Sequence, residues 1–339
     1  MNSENLIKIL VENNQPNYRA MQIQKAIYQD GISSFSEIST ISKELRERLT
    51  KELHILSFTV EKVLVAKDNL SIKALLKLAD GQKIETVLLS SGPAKWSVCI
   101  SSQVGCPLNC AFCATGKNGF QRNLTAEEIT DQVLFWRQYL NSPQSINSIV
   151  YMGMGEPFLN WEAVKKSLHD LVDKKLFAFG SRSISVSTVG IPEGIEKFAD
   201  EFPQINLAIS LHFASDEKRV KYMPINKKHN LASLKKVLQD YFQKTNRQVF
   251  IEYVMLFGIN DSEEDAYALA TYLKSIGKRQ LLHANLIGYN KTGSNFTATS
   301  GNKTQIFKNC LEKNGLSVTI RKSLGQEVSG ACGQLAGEN

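Results

Sequence analysis

The sequence predicts an α/β fold in which helices cover a parallel sheet, with a small helical module and a β-rich connector before it. From Trp96 onward, apolar strand-like runs alternate with helical patterns, which is typical of strand–helix units in a parallel sheet. Residues 55–89 instead alternate with a period of two, and residues 4–53 have the spacing of short helices. We expect the strands of the parallel sheet at residues 96–101, 147–152, 183–188, 206–211, 249–255 and 282–287.

The chain before the sheet has two kinds of local pattern. Ile7, Leu10 and Val11 recur on one face of a helix, as expected of a small helical module. Farther on, Asp80-Gly81 separates two alternating runs and predicts a β-hairpin, and Ser90–Pro93 predicts a loop. We therefore divide the chain into a helical accessory domain (1–53), a β-rich connector (54–93), a core (94–320) and a C-terminal tail (321–339).

The core has clear helix starts. Thr125 with Glu128, and Ser262 with Asp265, match the capping box, in which the two residues satisfy the first free N–H groups of a helix. Six strand–helix units could form an open sheet or an incomplete barrel, and periodicity does not separate these two. In both, ligands bind at the carboxyl ends of the strands.

Composition and charge restrict the function classes. The 339 residues are 42% hydrophobic, and 40 Lys and Arg against 33 Asp and Glu give a net charge of +7, which suits a polyanionic partner. No apolar run is long enough to span a bilayer, and the first 15 residues lack a signal-peptide apolar segment. We expect a cytoplasmic protein with no membrane contact, in which the six cysteines are not structural disulfides.

Three cysteines lie within eight positions, in Cys106-Pro-Leu-Asn-Cys110-Ala-Phe-Cys113. Thiolates are soft ligands suited to iron–sulfur clusters, and one loop can wrap the corner of a cubane. Three ligands on four irons leave one iron open to chelate a small molecule. The alternatives are a structural zinc, which wants a fourth ligand and usually paired Cys-x-x-Cys units, and a chance grouping of free thiols.

This loop resembles that of the radical-SAM superfamily, which cleaves S-adenosylmethionine (SAM) to a radical. Met152–Pro157, at the end of the second predicted strand, resembles the glycine-rich segment that holds the amino group of SAM, with Gly155 allowing close backbone approach and Glu156 pairing with the ammonium. The resemblance implies a partial (β/α) barrel, one 4Fe–4S cluster and SAM as cofactors.

Several stretches along nearly the whole chain resemble one branch, the RlmN/Cfr methyltransferases, which methylate adenosine in RNA. They are Cys99–Cys106, Asn123–Thr125, Gly153–Pro157, Ser187–Gly190, Ile209–His212, Met223–Asn226, Asn285–Asn290 and Ala331–Gly337. The resemblance implies that SAM is contacted by Ser187, Ser210, Leu211, His212 and Asn290. Lys291 stands where the family usually has Pro, and Ser329-Gly330 where an Asp-Ala pair is common.

The resemblance also implies three catalytic residues. Carbon-2 of adenine is electron-poor, so Cys332 first takes a methyl group from one SAM, and a second SAM generates the radical that joins this carbon to the base. Cys99 then attacks the Cys332 sulfur and leaves a Cys99–Cys332 disulfide to be reduced. Either Glu85 or Cys99 takes the proton from carbon-2. We assign Cys310 to the core.

The implied substrates are 23S rRNA and certain tRNAs, with an electron donor such as flavodoxin or ferredoxin and a monomeric enzyme. Two basic groups are predicted to contact phosphates. They are Lys218, Arg219, Lys221, Lys227, Lys228, Lys235 and Lys236 after the fourth strand, and Lys43, Arg46, Arg48 and Lys51 in the helical module.

The residues 155–160 are closer to the RlmN form than to the Cfr form, so we predict methylation at carbon-2. The alternatives are a Cfr-like enzyme that methylates carbon-8 and confers antibiotic resistance, a radical-SAM enzyme with a protein or small-molecule substrate, and a non-catalytic zinc-stabilised module that binds RNA.

Overall fold

The computed structural model describes residues 1, 3–92, 95–141 and 146–337. The helices are α1 (Ser3–Glu12), α2 (Tyr18–Tyr28), α3 (Lys43–Glu52), α4 (Ala114–Lys117), α5 (Ala126–Leu140), α6 (Trp161–Val172), α7 (Pro192–Glu201), α8 (Asp216–Tyr222), α9 (Leu231–Thr245), α10 (Glu263–Ile276) and α11 (Gly301–Lys313). The strands are β1 (Phe58–Val65), β2 (Ser71–Leu78), β3 (Lys83–Gly92), β4 (Lys95–Cys99), β5 (Gln103–Gly105), β6 (Phe120–Asn123), β7 (Ile146–Tyr151), β8 (Ile184–Thr188), β9 (Asn206–Ser210), β10 (Val249–Met255), β11 (Leu282–Gly288) and β12 (Ser317–Arg321).

One sheet runs through the chain in the order β1-β2-β3-β4-β7-β8-β9-β10-β11-β12. Its first three pairings are antiparallel and the others are parallel. Sequential strands remain neighbours throughout, whereas a doubly wound sheet reverses its strand order. With a cavity lined from β7 through β11, this order is that of a partial barrel, and the predicted fold class is confirmed.

The six predicted core strands are present, and a seventh was missed. Strand β12 pairs parallel with β11 at the edge of the sheet, and only Val318 of its residues is buried, so its sequence lacks the apolar run of the other strands. The predicted loop at Ser90–Pro93 is wrong up to Gly92, because Ser90 pairs with Trp96 and β3 continues through a register shift to Gly92. Pro93 lies outside the described residues.

The predicted helix starts are confirmed. Thr125 and Glu128 form a reciprocal capping box at α5, with the Glu128 N–H donating to Thr125 Oγ1 at 3.1 Å. Ser262 and Asp265 form the second one at α10. These caps hold the helices at fixed positions after their strands.

The helical module contacts α5, whose side chains donate hydrogen bonds to backbone carbonyl groups of the module. Arg137 donates to the carbonyl oxygens of Tyr28 in α2 and Phe177, the second at 2.7 Å, and Gln138 donates to Ile32 O at 3.0 Å. Burial lowers the pKa of Arg137 to about 10, so the guanidinium keeps its charge at neutral pH. The four-part division of the chain stays a prediction, and its boundary at residues 93 and 94 falls outside the described residues.

Candidate active site

A small hairpin presents the three-cysteine loop. Strands β5 and β6 pair antiparallel, and the Cys106 N–H donates to Gly119 O at 3.0 Å, so the two ends of the loop meet. Gly105 has a φ of +73°, and a Cβ there would lie 1.8 Å from Gly119 O. Only glycine fits at this crossing.

All three cysteines line a cavity of about 170 Å³ at the carboxyl ends of the parallel strands. Burial raises the pKa of Cys106 to about 12 and that of Cys110 well above its ordinary value, so a cation must displace the proton before these thiols become ligands. No group of three or more His, Cys, Asp or Glu in the described part of the chain converges closely enough for one metal ion. Each cysteine of a cubane binds a different iron, so three cluster ligands need not converge on one point.

The glycine-rich segment forms a second wall of this cavity. Gly155 has a φ of +100°, and the Gln103 side chain packs against its α-carbon and accepts a hydrogen bond from the Glu156 N–H at 2.8 Å. The Glu156 carboxylate accepts from the Phe158 N–H at 3.1 Å and the Val189 N–H at 2.9 Å. Burial raises the pKa of Glu156 to about 7 against these hydrogen bonds. The carboxylate is thus fixed in position at the cavity wall.

The ends of β8 and β9 supply polar side chains. The hydroxyls of Ser187 and Ser210 lie 3.1 Å apart, and both residues line the cavity with His212 and Asn290. Leu211, which the resemblance also places at SAM, is unlike these four residues. Its side chain is fully buried, and it is not among the residues that line the cavity.

His212 is held in one tautomer. Its Nδ1 accepts the Val254 N–H at 3.1 Å, which places the ring proton on Nε2. Burial, helped by the nearby charge of Arg219, lowers the pKa of His212 to about 3, so the ring is neutral at physiological pH. The His212 and Phe112 rings pack in a T-shaped arrangement with their centroids 5.0 Å apart. His212 therefore offers a fixed N–H donor and no charge.

Cys332 lines the same cavity and also a second one of about 80 Å³, which Cys99 and Arg321 line as well. All six cysteines are free thiols. Cys332 thus borders both cavities. Desolvation by the surrounding protein raises the pKa of the Cys332 thiol, and the charge of Arg321 opposes that effect. Burial raises the pKa of Cys99 to about 12. Cys310 is half-buried against the core, on α11.

Glu85 lies apart from the other predicted site residues. It lines neither cavity, and its carboxylate contacts Lys73 and the backbone of the tail.

Arg219 was predicted to contact phosphate, but its side chain is buried. It is 1% exposed and donates to Asn226 Oδ1 at 2.7 Å and to the carbonyl oxygen of Val189. For Arg219 that prediction is wrong.

A buried polar network lies beside Cys332 and was not predicted from the sequence. Glu252 lines the larger cavity, accepts from Asn285 Nδ2 at 2.9 Å and pairs with Arg321 at 3.5 Å. Burial raises the pKa of Glu252, and Arg321 counteracts this. The sequence did contain a signal for this network, namely a glutamate inside the apolar run Val249–Met255. A charged residue in a buried strand needs a partner, which here is Arg321.

Replacing Gly155 with alanine should weaken binding of SAM, the cofactor that the resemblance implies for this segment, by about tenfold or more. A Cβ there would lie 2.5 Å from Gln103 Cβ, at a φ that favours glycine. Isothermal titration with SAM measures this. Gly180→Ala is the matched control, because that glycine has an ordinary φ of −69° and nothing within 4 Å of the added carbon. Equal SAM affinity in both variants would contradict close packing at Gly155.

Comparison with known proteins agrees with this arrangement. The model of the radical-SAM superfamily matches residues 100–270, and that of the ribosomal RNA large subunit methyltransferase N-terminal domain matches residues 1–55. The crystal structure of a radical SAM methyltransferase from Sphaerobacter thermophilus superimposes with a TM-score of 0.93 at 37% identity, over 100% of this chain and 98% of that one.

Two similar curated proteins extend over nearly the whole chain. The ribosomal RNA large subunit methyltransferase Cfr of Clostridium botulinum strain Okra is 44% identical over 329 residues, 96% of this chain and 94% of the relative. The ribosomal RNA large subunit methyltransferase N of Nitrosopumilus maritimus is 37% identical over 340 residues, 98% and 96% of the two chains. With both domain models and a cavity lined by the three-cysteine loop, the chain belongs to the RlmN/Cfr family of radical-SAM methyltransferases.

Proposed function

We propose that this protein methylates an adenosine of large-subunit ribosomal RNA and carries the methyl group on Cys332. The observation that supports this most directly is the position of Cys332, which lines the cavity of the three-cysteine loop and also the cavity of Cys99. A cysteine in that position can receive a group on one side and be attacked by a second thiol on the other.

The family implies a 4Fe–4S cluster and SAM, and we assign the cluster to Cys106, Cys110 and Cys113. The donor set fits, because it consists of three thiols on one loop at a cavity that Glu156 also lines. When bound, the cluster supplies the electron that cleaves SAM to a carbon radical. Iron and sulfide analysis of anaerobically purified protein tests the assignment, which predicts about four of each per chain, and an unchanged content in the Cys106→Ala variant would refute it.

The cavity walls suit SAM. The fixed carboxylate of Glu156 would accept its ammonium, and the amide side chain of Asn290 together with the hydroxyls of Ser187 and Ser210 would bind its polar groups. The neutral Nε2–H of His212 would donate to an acceptor on SAM without repelling the positive sulfonium. Leu211 would contribute through its backbone, since its side chain is buried in the core.

The methyl relay uses two thiols. Cys332 attacks the methyl carbon of SAM, so an S–CH₃ bond forms and S-adenosylhomocysteine leaves. The radical that the second SAM would supply takes one hydrogen atom from the S-methyl group, and the carbon radical so formed adds to the target carbon of the adenine. Loss of the proton on that carbon and of one electron, which the oxidised cluster would accept, restores the aromatic ring. Cys99 then attacks Cys332 Sγ, so the S–C bond breaks as the S–S bond forms, and the carbon released from sulfur takes a proton. A cellular thiol then reduces the disulfide. The acceptor of the proton on the target carbon is predicted to be either Glu85 or Cys99. The cavities favour Cys99, which lines the smaller one with Cys332, whereas Glu85 lines neither.

We assign 23S rRNA and certain tRNAs as substrates, flavodoxin or ferredoxin as electron donor, and a monomer in the cytoplasm as the active form. Exposed lysines near the fourth core strand, such as Lys221, Lys227 and Lys228, and the helical module suit contacts with phosphates. Among the residues that the structure describes, no helix has both the length and the apolarity to cross a membrane.

Product analysis distinguishes methylation at carbon-2 of the adenosine from methylation at carbon-8. Residues 155–160 favour carbon-2, which we take as the first candidate. Carbon-8 is the second candidate, because a relative with 44% identity is named Cfr. Reconstituted enzyme, SAM and a reductant should convert 23S rRNA so that digestion and mass spectrometry against both standards reveal 2-methyladenosine. Finding only 8-methyladenosine would make the Cfr-like activity correct, and finding neither, with SAM cleaved, would refute RNA methylation.

A further inference from the structure

The segment that follows Cys332 is hydrogen-bonded to the core near the C-terminal end of the described chain. We use "cysteine tail" for residues 331–337. The Ala336 N–H donates to Glu85 Oε2 at 2.7 Å and the Gly337 N–H to the same oxygen at 3.2 Å. These contacts join residues 251 and 252 positions apart in the chain, so they tie the cysteine tail to β3.

The other carboxylate oxygen of Glu85 is held by a buried lysine. Lys73 on β2 donates from Nζ to Glu85 Oε1 at 2.6 Å, and the two side chains are 11% and 2% exposed. A buried charge needs a partner and hydrogen bonds, and here the partner is Lys73 and the hydrogen bonds come from the tail. Because Lys73 holds Oε1, the ion pair fixes the carboxylate so that Oε2 faces the tail and accepts its N–H groups.

The opposite side of the tail is held by α4 and the residue after it, which directly follow the three-cysteine loop. Thr115 Oγ1 donates to Leu335 O and Asn118 Nδ2 to Ala336 O, both at 2.6 Å, and the Ala114 N–H donates to Gly333 O at 2.8 Å. Leu335 itself is buried and lines both cavities. The tail thus lies between β3 and α4, the helix that follows the three-cysteine loop.

We propose that Lys73 and Glu85 are positioning residues that dock the cysteine tail and so place Cys332 Sγ at the SAM cavity. Between Cys332 and the docked end at Ala336 there are only three residues, one of them Gly333 with a φ of +81°. Such a short link transmits the position of the anchor to the thiol, and without the anchor the glycine permits other paths. This inference rests on the proposed methyl-carrier role of Cys332.

Two variants test the anchor from its two sides. Glu85→Gln keeps the shape of the side chain but offers one acceptor oxygen where the carboxylate has two, and Ala336→Pro removes the 2.7 Å donor without touching the buried charges. Glu61→Gln is the matched control, since Glu61 pairs with Lys83 at 2.8 Å on the same sheet and forms no hydrogen bond or ion pair with the tail among the described residues.

Hydrogen exchange of residues 331–337 in the holoenzyme should speed up about tenfold or more in Glu85→Gln and Ala336→Pro and remain unchanged in Glu61→Gln. S-methylation of Cys332 by SAM, followed by intact-protein mass spectrometry, should fall by a similar factor in the first two variants. Exchange of β2 and β3 serves as the folding control, because a misfolded sheet would lose protection there also.

Normal tail exchange and normal Cys332 methylation in both variants would overturn the anchor. Normal methylation in Glu85→Gln with accumulation of a protein–RNA adduct would overturn it too, in favour of proton transfer by Glu85. If wild-type protein shows a protected tail that both variants lose, but never carries an S-methyl group on Cys332, then the methyl-carrier role fails while the docking of the tail is supported.

Discussion

Replacing Cys332 with alanine should lower RNA methylation by more than about a thousandfold while SAM is still cleaved. The reason is geometric: Cys332 is separate from the three-cysteine loop, so its loss removes the methyl carrier and leaves the predicted cluster ligands intact. Product analysis by mass spectrometry and quantification of 5′-deoxyadenosine by liquid chromatography measure the two activities in one reaction.

Cys310→Ala is the matched control for this variant. Cys310 is a half-buried free thiol on α11 that lines neither cavity, so its replacement should leave both activities unchanged. Methylated RNA at the wild-type yield from Cys332→Ala would rule out the relay through this residue, whatever the chemistry of the cluster.

Cys99→Ala should instead trap a covalent complex between the protein and RNA. Cys99 lies at the end of β4 and lines the small cavity with Cys332, so its thiol can reach the Cys332 sulfur but is not needed to load it. Denaturing gels of reactions with labelled RNA should show a band that disappears on protease treatment, with turnover lowered about a hundredfold or more.

The pH dependence of release provides a second measurement on Cys99. Since burial raises its pKa to about 12, the thiolate is scarce at neutral pH and its fraction grows as the pH rises. Release in the wild type should therefore accelerate between pH 7 and pH 9. A Cys99→Ala variant that turns over normally without an adduct would remove Cys99 from the reaction.

Local patterns in the chain were sufficient for most of the fold. The apolar runs predicted β4 and β7–β11, and the capping residues Thr125 and Ser262 marked where α5 and α10 begin. These features depend on residues within a few positions of each other, so the sequence encodes them directly. Strand β12 was missed because an edge strand with one buried residue carries little periodic signal.

The spacing of Cys106, Cys110 and Cys113 likewise predicted one wall of the site, because three ligands on one loop are a local feature. Which distant residues meet that wall was decided by the tertiary structure. Glu252 meets Arg321, and Glu85 meets Ala336, across long stretches of chain that show no period linking them.

The sequence by itself thus determined the order of the six main parallel strands, the cysteine loop and the family resemblance. Only the folded sheet decided that Arg219 is buried, that Glu85 faces the tail, and that Cys332 lies between two cavities. The physical reason is that burial and pairing of a charged or nucleophilic side chain depend on what packs around it, and packing joins residues that are far apart in sequence.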